Sequence, residues 1–321
     1  MFDFLSIVWN VDPVIFSIGN KAIRFYSLLF VSGFPLGYYL FTRFYKREKV
    51  NVSLIDPLLY ISLIGTLVGA RLGHCLFYQP DYYLSNPIEI LKVWEGGLAS
   101  HGGAIALVLC IFIYAHKYGR KNGFDAMWTF DRLAIAVCFA GCLIRLGNLF
   151  NSEIFGGPTN LPWGFMFPRS YEWVTNYGPD AFPPSGIACH PTQIYEALSY
   201  LILGIILLWV YNKKADKIHK GWVFGVFLIV LFGMRFLIEF IKNDQVSFEA
   251  EMKLNMGQLL SVPFIIAGVA ILVLSYVYKK PFLREDMSDG SQSQNNNKRK
   301  ATLPKDQRMS AAKRKAMAAK N

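Results

Sequence analysis

The sequence is short of charge. Acidic and basic residues together make up 17% of its 321 positions, and several long stretches carry almost none. An ordinary soluble domain keeps a charged face on each amphipathic segment, and that pattern is missing here. Cysteine is also scarce. There are five, an odd number, with no CxxC spacing, which argues against a disulfide framework or a zinc site. Cys75, Cys110, Cys138 and Cys142 fall in apolar runs, where small apolar packing is their role, and only Cys189 lies in a loop. No GxGxxG, P-loop or HExxH occurs, so nucleotide and zinc-protease chemistry lack support. No repeat relates the two halves, which removes the inverted-repeat plan common among transporters. The first residues have no basic start and no small-residue cleavage site, and they carry Asp3 and Asp12, so they do not read as a signal peptide.

What the sequence does have is long apolar runs. Hydrophobic residues make up 53% of the chain and aromatic residues 16%. Runs of about 18 or more such residues read as membrane-spanning helices. Spans are predicted at 22–42, 54–78, 98–116, 126–149, 194–212, 222–242 and 257–278. Before the first, "PVIFSIGNKAIRFY" reads as two short extended pieces around a Gly-Asn turn at the membrane edge. The net charge is +11, and its placement gives the orientation. Arg43, Lys46, Arg47 and Lys49 follow the first span; Lys117, Arg120 and Lys121 follow the third. Lys213, Lys214, Lys217 and Lys220 follow the fifth, and twelve more Lys or Arg lie beyond position 278. The alternate connections hold little base: Lys92, Arg169 and Lys253. The positive-inside rule then predicts an outer N-terminus and a cytoplasmic C-terminus, with Lys21 and Arg24 against the trend.

The expected architecture is an all-α polytopic membrane protein with about seven transmembrane helices. Residues 1–284 form the membrane-embedded body. Within it, 79–97 make an aromatic outer arm and 150–193 an outer-face cap with Trp163, Tyr171, Trp173 and Tyr177. Residues 285–321, rich in Ser, Gln, Asn and then Lys and Arg, are expected to be a disordered basic tail. It can serve attraction to anionic lipid, nucleic-acid binding, or topology and solubility alone; its position after a span favours the first over the second. The second span carries Gly65, Gly69 and Gly73 at every fourth position, a ridge for close helix packing.

Ionisable residues inside spans are costly and usually functional. Arg71, His101, Arg145, Arg235 and Glu239 are in that position. Each also has a plain structural explanation. Arg71 can snorkel to the interface. His101, framed by glycines in "EGGLASHGGAIA", can be a satisfied core histidine or a group left open to a ligand or a neighbouring helix. Arg145 can cap helix carbonyls, although Asn148, Asn151 and Glu153 within nine residues exceed what a cap needs. Arg235 and Glu239, at i and i+4, can pair with each other. By topology all of these lie in the outer half. Two or three arginines facing one cavity attract an anion, and forked guanidinium donors suit phosphate. At that depth the abundant anion is a phospholipid headgroup. A phospholipid-handling protein is therefore expected, with His101 or a carboxylate available for proton transfer. A transporter of small anions, or a passive scaffold with fewer buried charges than these, is the alternative.

The chain resembles bacterial prolipoprotein diacylglyceryl transferase over roughly residues 10–280. "RLGNLFNSEIFG" at 145–156 looks like the family signature R-x-G-N-x-x-N-x-E, and "SHGGA" at 100–104 like its His-Gly-Gly motif. "IRFYSLLF" carries the family tyrosine at Tyr26, and "GARLG", "HPTQIYE" and "RFLIEF" match in order. The chain departs from the family's usual residues at Ile144 and Ser152, where Gly is usual, at Ala104 and at His74. The resemblance implies transfer of a diacylglyceryl group from phosphatidylglycerol to the lipobox cysteine of a prolipoprotein signal peptide. The product is a thioether, and glycerol phosphate leaves. No cofactor or metal, and no nucleic acid, is expected. By the same resemblance the site is an inner-membrane one. His101, Arg145, Arg235 and Glu239 would be catalytic, and Arg145, Asn148, Asn151, Glu153, Tyr26, Arg71, Gly102 and Gly156 would meet the lipid.

Overall fold

Seven helices long and apolar enough to cross a membrane make up the body of the protein in a computed structural model. The structure describes residues 7–19, 21–93, 97, 99–171, 174–175, 187–242 and 254–283. Trp173, Tyr177 and the tail from 285 onward lie outside the described residues. The chain is an all-α polytopic membrane protein.

Helix α1 is Phe25–Arg47, α2 Ile55–Phe77, α3 Pro80–Ser85, α4 Ser100–Tyr114, α5 Arg120–Asn122 and α6 Ala126–Phe150. Then follow α7 (Thr192–Lys213), α8 (Trp222–Ile238) and α9 (Met256–Tyr278). A π-helical turn at Ala115–Gly119 carries α4 into α5. The seven expected spans are all present, with ends shifted by a few residues. The first runs on to Arg47, because Lys46 and Arg47 in its last turn complement the helix dipole. The ends of other helices are set by side chains. Asp125 accepts from Trp128 N–H (2.9 Å) to start α6 and also meets Lys220 at 2.9 Å. Burial opposes the charge on Asp125, but Trp128 N–H and Lys220 outweigh it, and its pKa is lowered. That charge therefore supports the fold above the ordinary carboxylate range and is lost as pH falls through the lowered value. Asn255 and Gln258 form a reciprocal capping box at the start of α9.

Helix α2 packs on α4, α1 and α7 pack on α6, and α8 packs on α9. The α2–α4 contact is the glycine ridge. A Cβ on Gly69 would lie 2.7 Å from Gly102 O, and one on Gly102 would lie 2.3 Å from Gly69 O. Backbone thus meets backbone, as small residues permit. The shared core runs from Phe44 and Tyr45 through Ile111, Trp128 and Ile135 to Leu207, Tyr211 and Val223. Large apolar side chains such as Leu67, Ile105, Leu109, Ile206 and Val273 face outward, as a lipid solvent requires.

The two ends of the bundle differ. At the end holding the C-terminus of α1, Arg132 is fully buried and fully paired. It donates to both oxygens of Glu48 (2.8 Å each) and to Phe282 O (2.9 Å). Trp128 Nε1 and the Tyr211 hydroxyl also donate to Glu48. Asp131 accepts from Gly221 N–H and Phe224 N–H and so caps α8 from a neighbouring helix. At the other end lie the hairpin of β2 (Val14–Ile18) and β3 (Lys21–Arg24), and the short parallel pair of β1 (Ile7–Val8) with β4 (Phe165–Met166). The extended pieces predicted around Gly19-Asn20 are this hairpin. A small second core of Leu149, Phe155, Phe165, Met166, Phe167 and Cys189 underlies this cap. Trp9 Nε1 donates to Leu149 O (2.8 Å), tying the first strands to the end of α6.

Candidate anion site at the capped end of the bundle

Arg145 and Asn148 lie in the last two turns of α6, three residues apart and on one face. Past the C-cap Asn151, the chain turns through two left-handed residues, Ser152 (φ 54°) and Ile154 (φ 61°). Such angles are costly for any residue with a Cβ, and most for a β-branched one. Their effect is to fold Glu153 back onto the helix end, where its N–H donates to Asn148 O at 3.1 Å. The Glu153 carboxylate then accepts from Asn148 Nδ2 (2.8 Å) and Asn151 Nδ2 (3.2 Å). Arg145 Nη1 donates to Asn148 Oδ1 (3.2 Å). The four polar groups of the signature therefore form one chain of hydrogen bonds.

The loop is held from α7. Thr192 Oγ1 donates to Ile154 O (2.9 Å), and Gln193 Nε2 donates to Glu153 O (2.7 Å). One turn further on, Glu196 is fully buried and meets Arg145 Nε at 2.5 Å. Tyr200, a turn beyond that, lies beside Arg145 and close enough to Arg235 to feel its charge. Gly156 closes the loop. Its N–H donates to His190 O (2.8 Å), and a Cβ there would lie 2.4 Å from Ile241 O. Three segments thus converge where only glycine fits. Tyr26 covers Gly147, where a Cβ would lie 2.9 Å from the Tyr26 ring, and it sits near Glu153 and Arg145.

Arg235 approaches from α8. The expected Arg235–Glu239 pair is not formed, which is a correction to the sequence reading. Glu239 Oε2 instead meets Lys242 Nζ at 3.2 Å, and among the described residues the Arg235 side chain has neither a hydrogen bond nor an ion pair. The reason is geometric. Glu239 has left α8 and begins a short 3-10 turn, which brings Lys242, three residues on, under its carboxylate. Gly257, at the start of α9, leaves room for that carboxylate, since a Cβ there would overlap Glu239 Oε1.

Two candidates stand apart. Arg71 is buried and clamps the arm, donating to Glu89 O (2.5 Å), Ile90 O (2.9 Å) and Gly97 O (3.3 Å). It also stacks over Tyr83, its guanidinium carbon 5.0 Å from the ring centre. His101 is half-buried on α4 and packs edge-on to Phe77 (5.3 Å) and beside Tyr78 (6.0 Å). Among the described residues no hydrogen bond or ring contact joins it to the Arg145 network. Gly102 faces α2, which of its two offered roles is the helix approach.

Sequence reasoning gave no role to Glu196, Tyr200, Gln193 or Lys242. Glu196 carried a signal, a lone carboxylate opening an apolar run, and it closes the "HPTQIYE" motif. Lys242 carried a weaker one, a lysine at the end of a span. Arg132, in mid-run, was also passed over; its complete pairing with Glu48 marks it as structural. Among the described residues no group of three His, Cys, Asp or Glu side chains is arranged to hold a metal.

The fold and this site define a polytopic membrane protein with a buried arginine-and-amide cluster at one end of its bundle. The model of the prolipoprotein diacylglyceryl transferase family matches residues 13–274, and the chain belongs to that family. Similar proteins carry the name phosphatidylglycerol–prolipoprotein diacylglyceryl transferase. That of Tolumonas auensis is 44% identical over 267 residues, which is 83% of this chain and 96% of the relative. That of Porphyromonas gingivalis is 44% identical over 273 residues, 83% and 94%. That of Chloroherpeton thalassium is 39% identical over 269 residues, 84% and 94%.

Proposed function

We propose that this protein transfers the diacylglyceryl group of phosphatidylglycerol to the thiol of a prolipoprotein, the first step of lipoprotein maturation. The observation that carries the reading is the pair of α6 and α8 arginines, one braced on Glu196 and the other without a side-chain partner among the described residues, within a chain of the transferase family. The names of the relatives supply both substrates. The acceptor is the lipobox cysteine at the end of the signal peptide.

In this reading the thiol loses its proton, because the thiolate is the nucleophile. The sulfur bonds to the glycerol carbon that carries the phosphate ester. The carbon–oxygen bond of that ester breaks, and glycerol phosphate leaves with the electron pair. Charge gathers on the departing phosphate, so donors aimed at it act mainly in the transition state. Arg145 and Arg235 are those donors. Asn148, Asn151 and Glu153 hold Arg145 in register, and Tyr26 lies against the same surface. His101 accepts the thiol proton. Glu239 is held by Lys242 and not paired with Arg235, and it takes no direct part in the transfer. Gly156 keeps the loop closed. Arg71, on α2, supports the site by clamping the arm, and Gly102, on α4, by packing against α2.

The protein sits in the bacterial inner membrane with its capped end outside. The basic connections at the opposite end support that orientation. The test is mass spectrometry of a lipobox peptide incubated with the purified protein and phosphatidylglycerol. A gain of one diacylglyceryl mass is expected. Arg145→Lys should cut kcat/KM by about a hundredfold, since lysine cannot make the forked contacts. Near-normal transfer by Arg145→Lys would sink the phosphate role of that residue. Uptake of small anions into proteoliposomes without lipidated peptide would favour a transporter instead.

A further inference from the structure

Three cations and two carboxylates meet below the signature loop. Arg145 takes one oxygen of Glu196 at 2.5 Å. Lys242 Nζ stands 3.6 Å from the other and 3.2 Å from Glu239 Oε2. Both carboxylates are thereby matched, and among the described residues Arg235 is the cation left over. Its Nε is buried and has no hydrogen-bond partner. Yet Glu239 stands one turn from Arg235, close enough for its N–H to donate to Arg235 O. Carboxylate and guanidinium at that spacing pair readily, and more tightly away from water.

Something must therefore keep Glu239 from Arg235, and Lys242 is built to do so. Its side chain is 2% exposed, and its backbone is bridged to Gly156. Gly157 N–H donates to Ile241 O (3.0 Å), which pins the same segment. We infer that Lys242 is a positioning residue: it holds Glu239 away from Arg235 and so keeps Arg235 free for the phosphate of the incoming lipid. This rests on the phosphatidylglycerol reading above. Without Lys242 nothing would hold the Glu239 carboxylate, and the phosphate would have to compete with it for the Arg235 guanidinium.

The experiment measures kcat and KM for phosphatidylglycerol in vesicles, with a lipobox peptide as acceptor. Lys242→Met should raise KM about tenfold or more and leave kcat within about threefold. Lys242→Arg, which keeps the charge, should stay within about threefold of wild type in KM. Lys242→Met combined with Glu239→Gln leaves no free carboxylate to seize Arg235, so its KM should return to within about threefold. An unchanged KM in Lys242→Met overturns the inference, as does a double variant that remains tenfold impaired. Should Lys242→Met fail to fold, the double variant, which buries no lone charge, decides on the same criterion. A wild-type protein that bound the lipid but made no product would sink the transfer reading alone. The lipid Kd of the same variants would then be judged by the same ratios. A wild type without affinity for the lipid would sink both.

Discussion

At the scale of single residues, two arginines within apolar helices have opposite fates. Arg132 has Glu48, Phe282 O and three aromatic faces around it, so nothing is left to bind. Arg235 has no such company. The sequence alone does not separate them, because the partner that occupies Arg132 comes from a distant part of the chain. Glu48 is 84 residues from Arg132. Local spacing even misled, since Arg235 and Glu239 look like a natural pair until Lys242 is placed. Ser152 is a different lesson. It stands where the family usually has glycine, and it adopts φ 54°. It is almost fully buried, and its hydroxyl has no hydrogen-bond partner. Ser152→Gly removes both the steric penalty and the unsatisfied hydroxyl, offset by extra freedom in the unfolded chain. Thermal unfolding in detergent should find it as stable as wild type or better. Ser152→Val should lose about 1–3 kcal/mol, because a β-branched side chain is least tolerant of that angle.

Between elements, the α2–α4 contact gives the glycines around His101 a structural purpose. The four-residue spacing of Gly65, Gly69 and Gly73 was legible, and so was its meaning as a packing ridge. Its partner was not, because periodicity says which face is small but not what lies against it. Gly102 is that partner, and a Cβ on it would lie 2.8 Å from Gly73 Cα. Gly103, the next residue, would place its Cβ 3.2 Å from Thr66 Cγ2 and 3.4 Å from Ala70 Cβ, contacts that need only a small shift. Gly102→Ala should therefore destabilise the fold by about 1–3 kcal/mol, the usual cost of overpacking, while Gly103→Ala costs clearly less. The pair also separates two roles for Gly102. If it met lipid and not α2, Gly102→Ala would raise the KM for phosphatidylglycerol and leave the unfolding temperature unchanged.

For the whole molecule, the seven spans were readable because a run of apolar residues long enough to cross a bilayer has few other meanings. The end of the membrane-embedded unit was harder to read. Composition set the change near residue 285, and the first compact unit ends at Leu283. The last few residues of that unit are tied down by contacts that composition does not reveal. Lys220 N–H donates to Lys280 O (2.9 Å), and His219 bridges to Pro281. Phe282 is 1% exposed, its carbonyl accepts from Arg132, and its ring lies 4.4 Å under the guanidinium. A chain ending after Leu283 should keep its thermal stability and its rate of peptide lipidation. A chain ending after Lys279 leaves a buried Arg132 donor without its acceptor and empties the Phe282 site. Loss of a buried phenylalanine alone costs about 3–5 kcal/mol, and the unpaired donor adds to it. The shorter chain should therefore unfold at a markedly lower temperature, although every residue of the anion site is still present. Equal stability of the two truncations would mean that the Arg132–Phe282 contact contributes nothing to holding the bundle together.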